Sequence, residues 1–565
     1  MTARRVRSHL LLPFLLPLAV LRCTRAPPEP TLAEEALAIA AVFETTHPYS
    51  ARTVDSLGLS AFFDKYPGYR SDSASVMDFY RRRSMQFAWI VRDSLSASAG
   101  AFVALAGVAH TGESEADAQG PSLRELYDEG FAEGTRVPTC ESCAVDLELR
   151  LTAEFFRFAD RRYGGYLSRD LRDLNWFIPR GKKDLSRLLD SMAVGKMDLS
   201  AYEPVNRQYQ LLKARIQRNR ALADGPWPVL ELPAELKKIE VGDTAEVMGP
   251  IRHRLHLLGD LAAEGSWPVY DSSMVPAVER FQARHGLEPD GVIGPDFLRA
   301  MNVTLAARLR TMLINMERLR WGPEVQPPDL LVVNIPEFRL HMYEQGRQVM
   351  SMGVVVGATA TGTVIFADTL SQIVFSPTWT VPTSITRNEI LPKMGKDPDY
   401  LRKNNMEIVG GTAARPVIRQ RPGAGNPLGR VKFLFPNSYS IYMHDTPSQG
   451  AFGLEQRAFS HGCIRLSRPE ELADYLLRDD PEWTTERIHQ AMYGGRTITV
   501  RLKRGLPVRI AYFTAWVDDE GRLNFRDDVY GHDAQLAREL FVEPGSSAPK
   551  SRSAPPHTHA PASSG

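Results

Sequence analysis

A cysteine and a histidine lie in a pattern that could support nucleophilic catalysis. Cys463 ends the tetrapeptide Ser460-His461-Gly462-Cys463, and fifteen residues separate His444 from Ser460. A thiol with a pKa of about 8.5 is only slightly ionised at neutral pH, so a neighbouring imidazole would raise its thiolate fraction. Gly462 would let consecutive backbone N–H groups approach a developing oxyanion. Each residue alone is more ordinary as a buried structural side chain, but their joint spacing favours catalysis.

The segments around this pattern predict how the two residues are positioned. Tyr442 and His444 share one face of a predicted strand, whose other face carries apolar side chains. His444 is therefore expected at a strand end, with its polar side facing away from the core. A short apolar run follows Cys463, and then a predicted helix for which Ser467 and Glu470 fit a capping box.

The region that contains these residues is predicted to be mostly β. From residue 328 onward, alternating and β-branched segments are punctuated by glycine and proline, and residues 344–346 predict a tight turn. This pattern indicates a sandwich or a barrel. A long insertion interrupts it at about residues 386–436, and loops of this length usually act as lids or are disordered.

Helical patterns precede the β region. Residues 32–235 are predicted to be helical, including a continuous helix over 76–95 and an amphipathic stripe formed by Leu147, Leu151, Phe155 and Phe158. Residues 240–305 predict three short helices with a turn at 289–291, around a small core that includes Val278, Phe281 and Leu287. A linking helix is expected over 309–321.

Composition excludes several classes of protein. A chain of 565 residues allows about four domains. Lys and Arg number 68 against 67 Asp and Glu, a net charge of +1, which argues against a nucleic-acid binder. Hydrophobic residues make up 43% and aromatic residues 9% of the chain, which excludes wholesale disorder. Four cysteines in this length cannot form a disulfide scaffold.

The two ends of the chain predict export and disorder. Residues 1–26 carry a basic start and an apolar run too short for a comfortable membrane span, which favours a signal peptide over an uncleaved anchor. Cys23 stands where a lipoprotein signal places its lipidated cysteine, although Arg22 fits that signal poorly. Residues 544–565 predict a disordered tail, in which His557 and His559 are expected to be solvated and at most to bind metal weakly.

Cys140 and Cys143 lie in a predicted loop just before a helix. A zinc site would need two more ligands, and no nearby His or Cys pair supplies them. A thioredoxin-like redox motif would need a βαβ setting, which the surrounding helical pattern does not offer. A short-loop disulfide is therefore favoured over two thiols in an exported protein.

Two stretches resemble known families. AVERFQARHGLEPDGVIGPDF resembles the peptidoglycan-binding domain type 1 family, with Asp296 in place of the common threonine, and a plain helical bundle remains the alternative. His444, the fifteen-residue gap and SHGC at 460–463, continued by Ile464 and Arg465, resemble the L,D-transpeptidase (YkuD-type) catalytic domain. FSPTWTVPTSITRNEILPKM, TAWVDDEGRLNFRDDVYG and DLNWFIPRGKKDL bring the resemblance closest to the large YcbB-like branch.

The resemblance implies a fold and an order of domains. It implies a multidomain α+β protein with a helical scaffold domain at 32–235 and a three-helix peptidoglycan-binding domain at 240–305. A mostly-β YkuD-type catalytic domain follows at 328–540, with an inserted cap at about 386–436.

The resemblance also implies a reaction. Cys463 would attack the third residue of a tetrapeptide stem of peptidoglycan, release D-Ala and leave a thioester. His444 would act as general base or imidazolium partner, held in its tautomer by the backbone carbonyl of Asp445. The amine of a second stem would then attack, giving a 3→3 cross-link without a metal or an organic cofactor.

Further site residues follow from the same resemblance. His461, Gly462 and the Cys463 amide would form the oxyanion hole, and Ser460 would shape their turn. Arg465 is expected to orient the substrate or the loop, and Tyr442 to line the acyl pocket. The basic cap residues Lys393, Lys396, Arg402 and Lys403 are expected either near anionic peptide stems or as a solvated face.

The expected setting is the periplasm, where cell-wall biogenesis determines cell shape. Peptidoglycan stems are the expected partners, other cell-wall synthases are candidates, and a membrane would be met only through the N-terminal segment. Three alternatives stay open: a cysteine L,D-carboxypeptidase or amidase, a transpeptidase that anchors a protein, and a non-enzymatic wall-binding scaffold. The intact His444 and Cys463 pair argues against the last of these.

Overall fold

The computed structural model describes most of the chain. The described residues are 50–91, 94–109, 141–167, 170–180, 184–193, 206–220, 225–265, 267–323 and 326–541. The segment 1–26 with Cys23, Cys140, and the tail 544–565 with His557 and His559 lie outside them. The predictions of export, of a Cys140–Cys143 disulfide and of a disordered tail therefore stay predictions.

Helices dominate the first half of the described chain and strands the second. The helices are α1 Ser56–Lys65, α2 Ser73–Arg82, α3 Ala97–Ala109, α4 Glu141–Ala159, α5 Leu185–Ala193, α6 Arg207–Arg220, α7 Met248–Leu257, α8 Val275–Arg284, α9 Pro295–Met301, α10 Leu305–Trp321, α11 Thr383–Ile385, α12 Leu391–Lys396, α13 Tyr400–Lys403, α14 Pro469–Leu477, α15 Thr485–Tyr493 and α16 His532–Leu540. The strands are β1 Ile90–Val91, β2 Ser94–Leu95, β3 Leu330–Asn334, β4 Arg339–Glu344, β5 Arg347–Gly357, β6 Ala367–Phe375, β7 Trp379–Thr380, β8 Met406–Thr412, β9 Arg415–Gln420, β10 Val431–Leu434, β11 Met443–His444, β12 Ala458–Ser460, β13 Ile464–Leu466, β14 Ile498–Ala511, β15 Ala515–Val517 and β16 Leu523–Phe525.

The N-terminal helical unit packs around α4. Its predicted stripe, Leu147, Leu151, Phe155 and Phe158, is buried against α1, α2, α3 and α5. The predicted helix over 76–95 is wrong in its second half, because α2 ends at Arg82 and a short hairpin follows. The buried carboxylate of Glu148 accepts the N–H groups of residues 88, 89 and 90, which therefore have a partner outside any helix.

Three short helices, α7, α8 and α9, form a small unit with its own core, as predicted. Val278 and Phe281 are fully buried in this core, and Leu287 is half-buried at its edge. Gly291 has a φ of 71° in the predicted turn, and its N–H donates to Gln282 Oε1 at 2.9 Å. The turn is thus tied to the middle helix of the unit.

A buried ion pair fastens this unit to the C-terminal part of the chain. Arg284 Nε donates to Asp260 Oδ1 at 2.7 Å, a second bond joins Arg284 Nη2 to Asp260 Oδ2, and both side chains are almost fully buried. Arg284 Nη1 also donates to the carbonyl of Leu523 in β16, at 3.0 Å. One guanidinium therefore joins α8 and the segment after α7 to the β15–β16 hairpin.

Replacement of Asp260 by alanine is expected to lower the free energy of unfolding of this unit by about 3–5 kcal/mol, because the guanidinium stays buried without its carboxylate. Hydrogen exchange of the α8 amides in the full chain measures the change. Asp296→Ala, which breaks the exposed Asp296–Arg299 pair of the same unit, should cost less than about 1 kcal/mol. Equal losses of unfolding free energy in the two variants would contradict a larger stabilising role for the buried Asp260–Arg284 pair.

The second half of the chain forms a closed β-barrel. Its strand order is β5-β13-β11-β10-β6-β14-β3-β4, and β4 pairs again with β5, so the sheet closes on itself. β12 adds to β5 in parallel outside this ring. The tight turn predicted at residues 344–346 joins β4 to β5, with positive φ at Gln345 and Gly346. The prediction of a mostly-β sandwich or barrel is confirmed as a barrel.

The helical and β parts share one core. Leu167 and side chains of residues 171–178, which lie within the predicted scaffold region, pack into the barrel core. Phe177 donates its N–H to the Ile365 carbonyl at 2.7 Å. Trp321, at the end of the predicted linking helix α10, meets Trp176 edge to face at 5.2 Å. α6 packs on the other side of α10 and on the β15–β16 hairpin.

The inserted cap has its own small core. β7, β8 and β9 form a three-stranded sheet, and Val381, Ile390 and Ile418 pack between this sheet and helices α11–α13. The cap elements run from 379 to 420, so the expected bounds of about 386–436 are shifted. Residues 431–434 are not cap but barrel strand β10, because they pair with both β6 and β11.

The predicted capping box after Cys463 is wrong. α14 begins at Pro469 with Arg468 as its N-cap, and no side chain caps its first turn. The Ser467 N–H instead donates to the Gly353 carbonyl of β5 at 3.0 Å, so Ser467 is tied to β5 just past the end of β13. Within the described ranges, no helix is long and apolar enough to cross a membrane, and no cluster of three metal-ligating side chains occurs.

Candidate active site

Cys463 and His444 are brought to one face of the barrel by strand pairing. β11 pairs in parallel with β13, placing His444 opposite Arg465, and the Ile464 N–H donates to the Tyr442 carbonyl at 3.1 Å. Because side chains alternate along strands, Tyr442, His444, Cys463 and Arg465 share one face. His444 ends its strand, as predicted, but its side chain is only 4% exposed.

The imidazole of His444 is held by its own backbone neighbour. His444 Nδ1 lies 2.5 Å from the carbonyl oxygen of Asp445, so Nδ1 carries the hydrogen and Nε2 is left to accept a proton. This is the contact that the resemblance implies for Asp445. Burial lowers the pKa of His444 to about 4, and the positive charges of Arg465 and Lys432 add to this decrease. The hydrogen bond to the Asp445 carbonyl acts in the opposite direction and raises the pKa. The imidazole is therefore neutral at neutral pH.

The carboxylate of Asp445 supports the same strand end. Its two oxygens accept the N–H groups of Arg430 and Thr446, each at 2.7 Å. Gly429 lies directly against it, at a φ of 62°, and a Cβ there would come within 2.5 Å of the carboxyl group. The Asp445 side chain thus has a structural role in placing the carbonyl that contacts His444.

Ser460 closes the turn that presents Cys463. Ser460 Oγ donates to the Cys463 carbonyl at 2.6 Å and accepts the Gly462 N–H at 3.1 Å. Gly462 has a φ of 115°, a conformation that favours glycine. Because the Gly462 N–H is donated to Ser460, this arrangement disfavours the Gly462 amide as an oxyanion-hole donor, and its expected role there stays a prediction. The amides of His461 and Cys463 remain candidates.

A loop after β5 is hydrogen-bonded to this turn, and the sequence analysis did not predict its role. Thr361 Oγ1 donates to the Ser460 carbonyl at 3.0 Å, and Thr363 Oγ1 donates to the Gly462 carbonyl at 2.8 Å. A Cβ at Gly357 would lie 2.3 Å from the Thr361 carbonyl oxygen, so the loop needs glycine there. The run of glycine and threonine at 357–363 is the sequence feature that could have indicated this loop.

The Cys463 thiol is half-exposed to solvent. Its Sγ lies 3.6 Å from the Ser440 carbonyl, and the Tyr442 hydroxyl contacts the sulfur. Burial raises the pKa of the Cys463 thiol, while contacts with Tyr442 and the charges of Arg465 and Lys432 oppose that shift. Burial likewise raises the pKa of the Tyr442 hydroxyl. These shifts favour a neutral thiol and a neutral imidazole in the site at rest.

Arg465 is half-buried beside these two groups. Burial lowers the pKa of its guanidinium, against the attraction of the Cys463 sulfur. Its Nε is buried without a hydrogen-bond partner among the described residues. Lys432 of β10, which the sequence reading also missed, lies opposite His444 in the register. The antiparallel pairing of β10 with β11 brings this lysine to the site.

The cap approaches the turn of the candidate active site through Glu389. Glu389 Oε1 lies 3.9 Å from Nε2 of His461, whose side chain is exposed. Of the basic cap residues, Arg402 and Lys403 form ion pairs with Asp399 and Asp397 inside the cap. That pairing favours a solvated face over contact with peptide stems for these two. Lys393 and Lys396 are exposed, as expected for a solvated face.

Three family models match parts of the chain. The L,D-transpeptidase catalytic domain model matches residues 328–502, the scaffold domain model residues 74–216, and the peptidoglycan-binding domain model residues 251–301. The predicted fold class and both predicted domain families are confirmed: the chain contains an L,D-transpeptidase (YkuD) catalytic domain and a peptidoglycan-binding domain beside a helical scaffold region.

The chain is also similar to a curated protein and to several solved structures. A protein of Haemophilus influenzae whose name assigns it to the L,D-transpeptidases is 32% identical over 240 residues, covering 40% of this chain and 48% of that protein. The chain thus spans about half the length of this curated relative. A solved L,D-transpeptidase from Stackebrandtia nassauensis is 14% identical over 49% of this chain and 97% of its own, with a TM-score of 0.21. One from Xylanimonas cellulosilytica is 16% identical over 50% of this chain and 100% of its own, with a TM-score of 0.16.

Proposed function

We propose that the L,D-transpeptidase catalytic domain of this chain forms 3→3 cross-links in peptidoglycan through a thioester on Cys463. The observation that carries this proposal is the shared face of β11 and β13. This face carries both a half-exposed thiol and a buried imidazole whose Nδ1 is fixed and whose Nε2 can accept a proton, which supports the proposal. A neutral thiol next to a neutral base is the arrangement that general-base activation of a nucleophile requires.

In the first half-reaction, His444 takes the proton of Cys463 as the sulfur attacks the carbonyl carbon of the third residue of a tetrapeptide stem, typically meso-diaminopimelate. The amides of His461 and Cys463 stabilise the developing oxyanion. As the tetrahedral intermediate collapses, His444 returns the proton to the amine of D-Ala, which leaves. A thioester joins Cys463 to the donor stem.

In the second half-reaction, an amine of another stem attacks the thioester carbonyl and loses a proton to His444. The carbon–sulfur bond breaks, the sulfur regains a proton, and an amide joins the two stems. Arg465, half-buried with an unsatisfied Nε, would receive an anionic group of a stem, and Tyr442 would line the acyl pocket. The three-helix unit would hold the polymer near the site, in an extracytoplasmic compartment such as the periplasm.

The acceptor distinguishes this reaction from its rivals. Water as acceptor would make the chain an L,D-carboxypeptidase, and a protein amine would make it an anchoring transpeptidase. Intact-mass spectrometry with a tetrapeptide-stem muropeptide tests the proposal. The expected result is an adduct on Cys463 equal to the muropeptide minus D-Ala, followed by a cross-linked dimer. Adduct formation followed only by a tripeptide-stem product would assign the carboxypeptidase instead.

A further inference from the structure

Lys432 occupies a place that neither the motif nor the proposed mechanism explains. It lies on β10, in register with His444 of β11, so its side chain shares the face that carries the candidate site. Its Nζ lies 5.6 Å from the centre of the Tyr442 ring, and the Tyr442 hydroxyl contacts the Cys463 sulfur. The side chain is half-buried.

No carboxylate of the described residues pairs with the ammonium of Lys432. Among the residues that the structure describes, none forms an ion pair or a hydrogen bond with it, whereas lysines 65, 238, 403 and 503 all pair with carboxylates. A partly buried cation without a counter-ion is costly, and burial lowers the pKa of this ammonium. The one attraction that opposes this decrease comes from Cys463.

We propose that Lys432 is a positioning residue whose ammonium stabilises the anionic sulfur of Cys463 when His444 removes its proton. The inference rests on the proposed role of Cys463 as nucleophile. Among the described residues, the titratable and charged groups on the face around this sulfur are Tyr442, which precedes β11, His444 of β11, Arg465 of β13 and Lys432 itself. Two cations there favour a thiolate and disfavour an imidazolium, so Lys432 makes the sulfur more acidic while keeping His444 a neutral base.

The pH dependence of Cys463 alkylation by iodoacetamide tests this role without any peptidoglycan. The full chain is used, and the peptide that contains Cys463 is followed by mass spectrometry. For Lys432→Met we expect the midpoint of alkylation to rise by roughly one pH unit, about a tenfold lower thiolate fraction at neutral pH. Lys432→Arg should keep the alkylation midpoint of the parent chain. Lys503→Met, at an exposed lysine paired with Asp480, should also leave that midpoint unchanged.

An unchanged midpoint in a Lys432→Met protein that melts like the parent chain would overturn the proposal. A rise in KM with no change in the midpoint would also overturn it, and would assign Lys432 to a carboxylate of the substrate. Lys432→Gln provides the same comparison if the methionine variant does not fold. Because alkylation needs no acyl donor, a failure of the cross-linking reaction would leave this result interpretable on its own.

Discussion

Replacement of Cys463 by alanine is expected to abolish the acyl-enzyme and to lower the cross-linking rate by at least about 10⁴-fold. The loss of a covalent nucleophile removes the whole two-step route, and background catalysis from binding alone is small. Chromatographic quantification of cross-linked dimers from a purified tetrapeptide-stem substrate measures the rate. Intact-mass spectrometry of the same samples checks for the adduct.

The matched control for this substitution is Cys143→Ala. Cys143 is exposed near the start of α4, in the helical unit and away from the barrel face of the candidate site. We expect this variant to keep the adduct and the rate of the parent chain. Retention of cross-linking by Cys463→Ala would mean that another group is the nucleophile and that the proposed mechanism is wrong.

Replacement of His444 by glutamine is expected to lower the cross-linking rate at neutral pH by about 10²- to 10⁴-fold, the usual contribution of a general base. Burial lowers the pKa of His444 to about 4, so the imidazole stays neutral and able to accept a proton down to that pH. The parent chain should therefore remain active through mildly acidic pH and lose activity as the pH falls toward 4. In His444→Gln, residual activity should instead increase with pH, because only spontaneous ionisation supplies the thiolate.

Rates measured across pH for both proteins provide this comparison. His489→Gln is the control, since His489 is an exposed histidine that contacts Glu470 on the outside of the barrel. It should leave the rate and the pH profile of the parent chain unchanged. Identical pH profiles for the parent chain and His444→Gln would show that His444 is not the base.

Local patterns in the sequence were enough to predict the candidate catalytic residues and most helices and strands. The SHGC motif and the fifteen-residue spacing identified the candidate nucleophile and base, and periodicity predicted the α4 stripe, the three-helix unit and the mostly-β domain. Local patterns failed where partners come from elsewhere in the chain. Residues 88–90 leave the helical pattern because their amides meet Glu148, and Ser467 caps no helix because its N–H pairs with β5.

By itself, the sequence determined which residues could do chemistry, because residue type and short spacing decide whether a thiol, an imidazole and a glycine turn are available. Only the tertiary structure decided what surrounds them. The barrel register brings Lys432 beside His444, the β5 loop holds the Ser460–Cys463 turn, and the Gly462 amide is donated to Ser460. Burial, which lowers the pKa of His444 to about 4, is also a property of the assembled barrel. Charge, exposure and hydrogen-bond partners depend on how the strands and loops of the barrel pair, and no local pattern specifies that pairing.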